Sequence, residues 1–223
     1  MSFGALIQEN YKTLLLAMGE TIELAFFSLV CASVIGLILG LFSVTRSKIL
    51  KGIYQVFVDV IRGVPLIVLA FYIYFGMPML IQQAFPTFKL SALAAGIIAL
   101  SLNCGAYMAE IIRGGIESVD KGQMEAARSL GLSYGKSMRK VVLPQAIRTM
   151  IPSIINQFII TLKDTSILSV IGFPELTKAG RTIIARNYES FKMWTIVAVM
   201  YLVVIISLSK LAKVVERRMS YGK

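Results

Sequence analysis

Long apolar runs alternate with short polar ones along this chain, and the apolar runs have the length of bilayer spans. About 20 consecutive apolar residues in helical form cross a hydrocarbon layer of roughly 30 Å. Runs of that kind predict spans over residues 21–44, 53–75, 90–112, 146–164 and 193–211. A backbone in lipid must satisfy its own hydrogen bonds, so the spans are read as helices. The expected fold class is an all-α integral membrane protein with five transmembrane helices, forming a single domain over residues 1–223.

The polar interruptions add detail. Residues 3–18 keep a helical rhythm broken by Gln8, Glu9, Asn10 and Lys12, which predicts an N-terminal interfacial helix ahead of the first span. Gly36 and Gly40 form a G-x-x-x-G step that suits either close helix contact or a lipid-facing stripe. Pro65 predicts a kink or break in the second span, and Asp59 and Arg62 are spaced to pair beside it. Gly76, Pro78 and Pro86 mark the following loop. Residues 162–192 read as too polar to cross, with a short re-entrant piece near 166–173 as the complication.

The longest polar run, residues 125–144, lies in a loop over 113–145 that follows the third span. Asp120 with Gln123 resembles a capping box, and Leu130-Gly131 resembles a helix end, which together predict a short helix over 121–130. Ser133 is placed to cap a second helix carrying Lys136, Arg139 and Lys140 toward Pro144. Ala126, Ala127, Leu130 and Leu132 leave a shallow apolar surface between charges. That profile suits a helix docking into a groove on another protein; the plainer reading is a solvated charged loop.

Composition then changes the picture in three respects. The residues are 57% hydrophobic and mean hydropathy is +0.75, as a membrane domain requires. A net charge of +11 would suggest nucleic acid in a soluble protein. Here the basic residues gather at 46–51, 113–148 and the C-terminal tail with Lys213, Arg217 and Arg218, all on one side of a five-span topology. The positive-inside rule makes that side cytoplasmic, which puts the N-terminus outside and the C-terminus inside, with membrane lipid and not nucleic acid as the charge partner. Lys178, Arg181, Arg186 and Lys192 then fall in an external loop, facing a partner or anionic headgroups. With no His and two isolated cysteines, Cys31 and Cys104, neither a catalytic nor a metal site is expected. No basic n-region opens the chain, so no removable signal peptide is expected.

Candidate chemistry lies in the polar positions within spans, which normally face a cavity or a partner. Asn103, Tyr107 and Glu110 stand at i, i+4 and i+7 on one helical face, and Gln157, Thr161 and Asp164 repeat that spacing. Two such stripes suit a path for a zwitterion. Glu110 and Asp164 would neutralise an ammonium group, and Asn103, Gln157 and Thr161 offer hydrogen bonds. A carboxylate would be held by Lys163, Arg62 or backbone donors at a helix break. The bland alternative pairs Glu110 with Arg113, and Lys163 with Asp164, only to make burial tolerable.

The polar run also carries a resemblance. Glu125-Ala126-Ala127, three residues, Gly131, nine residues, Val141, one residue and Leu143-Pro144 is similar to the cytoplasmic coupling motif of ABC importer permeases, with Val where the motif has Ile. Arg62-Gly63-Val64-Pro65 and Lys163-Asp164-Thr165-Ser166 narrow the resemblance to permeases for polar amino acids and add Thr165 and Ser166 to the candidate pathway. The resemblance implies the transmembrane subunit of an ATP-driven importer in a bacterial inner membrane. It implies two ATPase subunits that bind ATP and Mg, with no cofactor on this chain. It also implies a second permease, identical or related, and an extracytoplasmic substrate-binding protein. The absence of G-x-x-x-x-G-K-[ST] agrees with a separate ATPase. The substrate would be a polar amino acid, with a slight lean to a basic one from Glu110 and Asp164. The alternative is an ion-coupled secondary transporter or channel using those carboxylates.

Overall fold

The computed structural model describes residues 2–220, with side chains described as far as Val214. Arg217 and Arg218 of the basic tail lie outside the described side chains.

Helix α1, Phe3–Val44, has 42 residues and reaches about 63 Å at 1.5 Å per residue. Ser2 caps it, its Oγ accepting from the Ala5 N–H at 3.2 Å. The separate interfacial helix expected over residues 3–18 is therefore the opening of α1, continuous with the first span. No proline interrupts 3–44, and Gly19, between the run 3–18 and the first span, costs only about 1 kcal/mol of helix propensity. Packing carries the helix through: Leu6, Leu14 and Met18 join a buried cluster with Leu176, Ile183, Met193 and Val197.

Helix α5, Ala92–Glu117, is the central member, and α1 lies along it through the G-x-x-x-G step. A Cβ at Gly40 would stand 2.7 Å from the Ile112 Cβ, and one at Gly105 would stand 2.8 Å from Ile35 Cγ2. Glycine at these positions lets the two backbones approach, so helix contact is the correct reading of the step.

The second span is broken. Helix α2, Lys48–Gly63, ends at Val64, which is extended as a residue before proline must be. The chain then turns by 100° into the helical piece Leu66–Ile81. That piece comprises α3, Leu66–Phe71, a π-helical turn over Tyr72–Gly76, and α4, Met77–Ile81. The span expected over 53–75 is thus two arms meeting at the break that Pro65 predicts, and the two arms together reach from Lys48 to Ile81. Gly76 and Pro78 lie inside the second arm, not in a loop.

Helix α6, Lys121–Ser129, is followed by α7, Tyr134–Ser137, a second π-turn over Met138–Val142, and α8, Leu143–Asp164. Pro144 does not end a helix. The Leu143 N–H bonds to the Met138 carbonyl, and this wider turn gives room ahead of the proline ring, as the turn at Tyr72–Gly76 does ahead of Pro78. The helical segment that holds the span expected over 146–164 accordingly runs longer, from Tyr134 to Ile171, with Pro152 inside α8.

A 3-10 helix over Thr165–Ile171 closes at Gly172, with φ +87°. Then come α9, Leu176–Asn187, and α10, Ser190–Ser220. Among the described residues, four helical segments are long and apolar enough to cross a membrane, and the bent pair at Pro65 makes a fifth if its arms count as one span. The two ends of α1 carry different neighbours. α9 packs near its first half, while Arg46, just past its last turn, stacks on Tyr134 with its guanidinium carbon 5.2 Å from the ring centroid. The basic stretches 46–51 and 113–148 therefore meet at one end, and basic α9 lies toward the other.

Candidate functional site

Where α5 and α8 face the bend at Pro65, they enclose a cavity of about 360 Å³. Asn103 and Tyr107 reach it from α5, Gln157 and Asp164 from α8, and Arg62 with Pro65 and Leu66 from the bend. The helical i, i+4 spacing on α5 and i, i+7 spacing on α8 turn each pair to one face. The bend delivers Arg62, the next-to-last residue of α2, to the same space. Asp164 accepts no hydrogen bond and joins no ion pair among the described residues. Its neighbour Lys163 points outward and is absent from the lining.

The other sequence candidates lie elsewhere. The Thr161, Thr165 and Ser166 hydroxyls donate to the carbonyls of Gln157, Leu162 and Lys163 at 3.0, 2.7 and 2.7 Å. None of the three lines the cavity. Glu110 is drawn into a cluster between α2 and α5: Arg62 Nη1 donates to its Oε2 at 2.9 Å, Arg113 Nε donates to its Oε1 at 3.1 Å, and the Tyr54 hydroxyl donates to Oε1 as well. Arg113 extends the cluster to Glu117 at 2.8 Å. Asp59, expected beside Arg62, instead accepts both oxygens' bonds from the Gln55 amide at 2.9 Å. Tyr54, which does not line the cavity, was invisible in the sequence as a partner of Glu110, since the two are 56 positions apart.

A fully buried carboxylate, Glu175, was also missed. It caps α9, accepting N–H bonds from Thr177 and Lys178 at 2.7 and 2.6 Å, and takes the Tyr201 hydroxyl at 2.7 Å. Burial pushes its carboxyl above the usual carboxylate range, with the donors from Thr177, Tyr201 and Lys178 opposing. Next to it, the Leu176 N–H donates to Thr21 Oγ1 at 3.1 Å, tying α9 to α1.

The polar run between α5 and α8 forms the second candidate surface. Asp120 caps α6, its Oδ1 accepting from the Gly122 N–H at 2.7 Å. Gln123 does not reciprocate: its Oε1 accepts from the Gln145 amide at 3.4 Å, so the capping box is half formed. At the other end Leu132 N–H reaches the Ala127 carbonyl and Gly131 N–H the Arg128 carbonyl, at 3.2 and 3.0 Å. That pair of bonds is a Schellman closure, and Gly131 supplies the left-handed φ of +84° it needs. Ala127 is buried, while Glu125, Ala126 and Leu130 are exposed, Leu130 by 85%. Met124 and Leu143 pack on a core of Ile112, Ile116, Val142, Ala146 and Met150, and Pro144 lies exposed beside it. α6 therefore rests on α7 and the π-turn Met138–Val142 that leads into α8, and Met124 joins the apolar cluster that α5 and α8 share at their bases.

Residues 32–221 match the family of the binding-protein-dependent transport system inner membrane component. The chain belongs to that family. It is 41% identical over 199 residues, 89% of each chain, to the glutamine transport system permease protein GlnP of Escherichia coli K12. It is 38% identical over 218 residues to the probable glutamine ABC transporter permease protein GlnP of Bacillus subtilis, covering 96% of this chain and 97% of that one. The structure superimposes on a chain of the crystal structure of an amino acid ABC transporter with histidines with a TM-score of 0.89 and 37% identity, over 98% of this chain and 99% of that chain.

Proposed function

We propose that this chain is the inner-membrane permease subunit of an ATP-driven importer, and that its cavity carries a neutral polar amino acid such as glutamine by alternating access. The observation that carries the reading is the unpartnered Asp164 carboxylate facing the same 360 Å³ space as the Arg62 guanidinium. An amino acid presents an ammonium and a carboxylate. Asp164 takes the first, Arg62 the second, and the amides of Asn103 and Gln157 address a polar side chain. The slight lean toward a basic substrate weakens, because Glu110 is engaged by Arg62, Arg113 and Tyr54. One carboxylate remains, and the ammonium common to all amino acids occupies it.

Membership of the family supports the following set of partners. ATP and Mg reside on two separate ATPase subunits, a second permease completes the pathway, and an extracytoplasmic binding protein delivers the substrate. The exposed Glu125, Ala126 and Leu130 of α6 meet the ATPase on the cytoplasmic side. Movement of α6 passes through Met124 and Leu143 into the bases of α5 and α8, about 20 Å along each helix from Asn103 and Gln157. Because packed cores shift between discrete arrangements and do not stretch, tilting those bases reorients the cavity. The N-terminus is outside and the C-terminus cytoplasmic in this reading, which puts α9 toward the binding protein.

Uptake by proteoliposomes holding the permease with its ATPase subunits and binding protein tests the proposal. Glutamine uptake should require ATP, and Asp164→Asn should raise the uptake KM about tenfold or more while the complex still assembles. Uptake driven by an ion gradient without ATP would replace this reading with an ion-coupled secondary transporter.

A further inference from the structure

Arg62 is held from two directions. Its Nη1 donates to Glu110 Oε2 at 2.9 Å, and its guanidinium carbon stands 5.1 Å from the Tyr107 ring centroid. The same side chain lines the cavity that Asp164 faces. It also precedes the Gly63-Val64-Pro65 break, where the chain turns by 100°.

The two ends of the Arg62–Glu110 pair are not equally fixed. Glu110 keeps Arg113 and Tyr54 whatever Arg62 does; Arg113 Nη2 already lies 3.4 Å from the oxygen that Arg62 uses. Arg62 has no second carboxylate among the described residues. Its side chain is 39% exposed and that of Glu110 26%, so the pair is a solvated contact that exchanges readily and not a sealed one.

We propose that Arg62 is an exchangeable tie: with the cavity empty it fastens the end of α2 to α5 through Glu110, and the carboxylate of an arriving amino acid takes Glu110's place. This rests on the reading of the cavity as the substrate site. The exchange frees α2 from α5 beside the bend, so occupancy of the cavity and slackening of the broken span are one linked equilibrium. Cation–π contact with Tyr107 keeps the guanidinium at the cavity wall during the exchange. Glu110 thereby sets affinity without touching the substrate, because binding must first break its bond to Arg62. It is a positioning residue.

The consequence runs against the usual effect of removing a charge near a site. In the purified complex with ATPase subunits, Glu110→Gln should bind glutamine roughly two- to fivefold more tightly. It should also raise ATP hydrolysis in the absence of substrate, and with it reduce the stimulation given by loaded binding protein. Tyr54→Phe, which loosens the cluster and leaves the Arg62–Glu110 bond, should keep wild-type affinity and separates a specific tie from general loosening. If Glu110→Gln fails to assemble, Glu110→Asp draws the carboxylate back by one methylene, keeps a charge for Arg113, and should shift affinity in the same direction by less. Unchanged or weaker binding in both Glu110 variants overturns the exchange; if Asp164→Asn and Arg62→Ala still weaken binding, the cavity reading stands without it. Unchanged binding in Asp164→Asn and Arg62→Ala overturns both.

Discussion

Gly40 of α1 lies against Ile112 of α5 so closely that a Cβ added at Gly40 would stand 2.7 Å from the Ile112 Cβ. Both atoms belong to stiff parts of helices, so neither can give way cheaply. Gly40→Val should destabilise the protein by about 1–3 kcal/mol through overpacking. A lowered melting temperature in detergent is the readout. Gly52→Ala on α2, where nothing lies within 4 Å, should leave the melting temperature unchanged or slightly higher.

Glu125 stands exposed on α6 and bonds to nothing among the described residues, so its replacement should not disturb this chain's own fold. Glu125→Lys should leave membrane insertion intact and reduce the uptake obtained per ATP hydrolysed several-fold. Gly131→Trp should do the same and also weaken the helix end, because a side chain at φ +84° is strained by about 1 kcal/mol or more. Wild-type coupling ratios in both variants would remove α6 from the path of transmission.

The contrast between α6 and α1 explains what sequence reasoning reaches here. The boundaries of α6 came within a residue because Asp120 and Gly131 act on their own neighbours, and local chemistry is legible in local sequence. The break at Pro65 was legible for the same reason. Its 100° angle was not, because the angle is set by where Leu69, Ala70 and Ile73 find a core with Ala95, Ala99 and Leu168. The run 3–18 read as a separate helix because its polar residues suggested an interface; α9 and α10, far along the chain, bury the opposite face. Within the cavity, Asn103, Tyr107, Gln157 and Asp164 came from helical periodicity. Glu110 shares that periodicity but turns to Tyr54 and Arg62, a choice that only the three-dimensional packing makes.

Glu175 supplies a pH dependence whose sign is fixed by its burial. Burial raises its folded-state carboxyl above the unfolded value of about 4.5. Between the two values the folded protein binds more protons than the unfolded one, so stability falls as pH rises through that window. The contribution is fully present below the unfolded value and lost above the folded one. Glu175→Gln cannot titrate and lacks one acceptor for the donors at α9, a deficit that does not vary with pH. The melting temperature of the wild type minus that of Glu175→Gln should therefore decline from pH 4 upward and then level off. A difference that grows with pH would mean that the three hydrogen bonds outweigh burial.

The proposed selectivity for a neutral side chain can be reversed by charge. Asn103 is 9% exposed and lines the cavity together with Asp164, its one carboxylate. If Asp164 is occupied by the substrate ammonium, a cationic side chain finds no counter-charge and loses its hydration on entry. Asn103→Asp adds that counter-charge with nearly the same shape. Arginine and lysine should then gain at least tenfold in competition with glutamine for the purified complex, since a single well-placed charge pair at 4 Å and an effective dielectric near 20 contributes on the order of a few kcal/mol. Glutamine itself should weaken, because its amide loses the donor that Asn103 provides. An unchanged order of competition would mean that Asn103 does not face the substrate side chain, and the cavity would then read only the backbone ends of the amino acid.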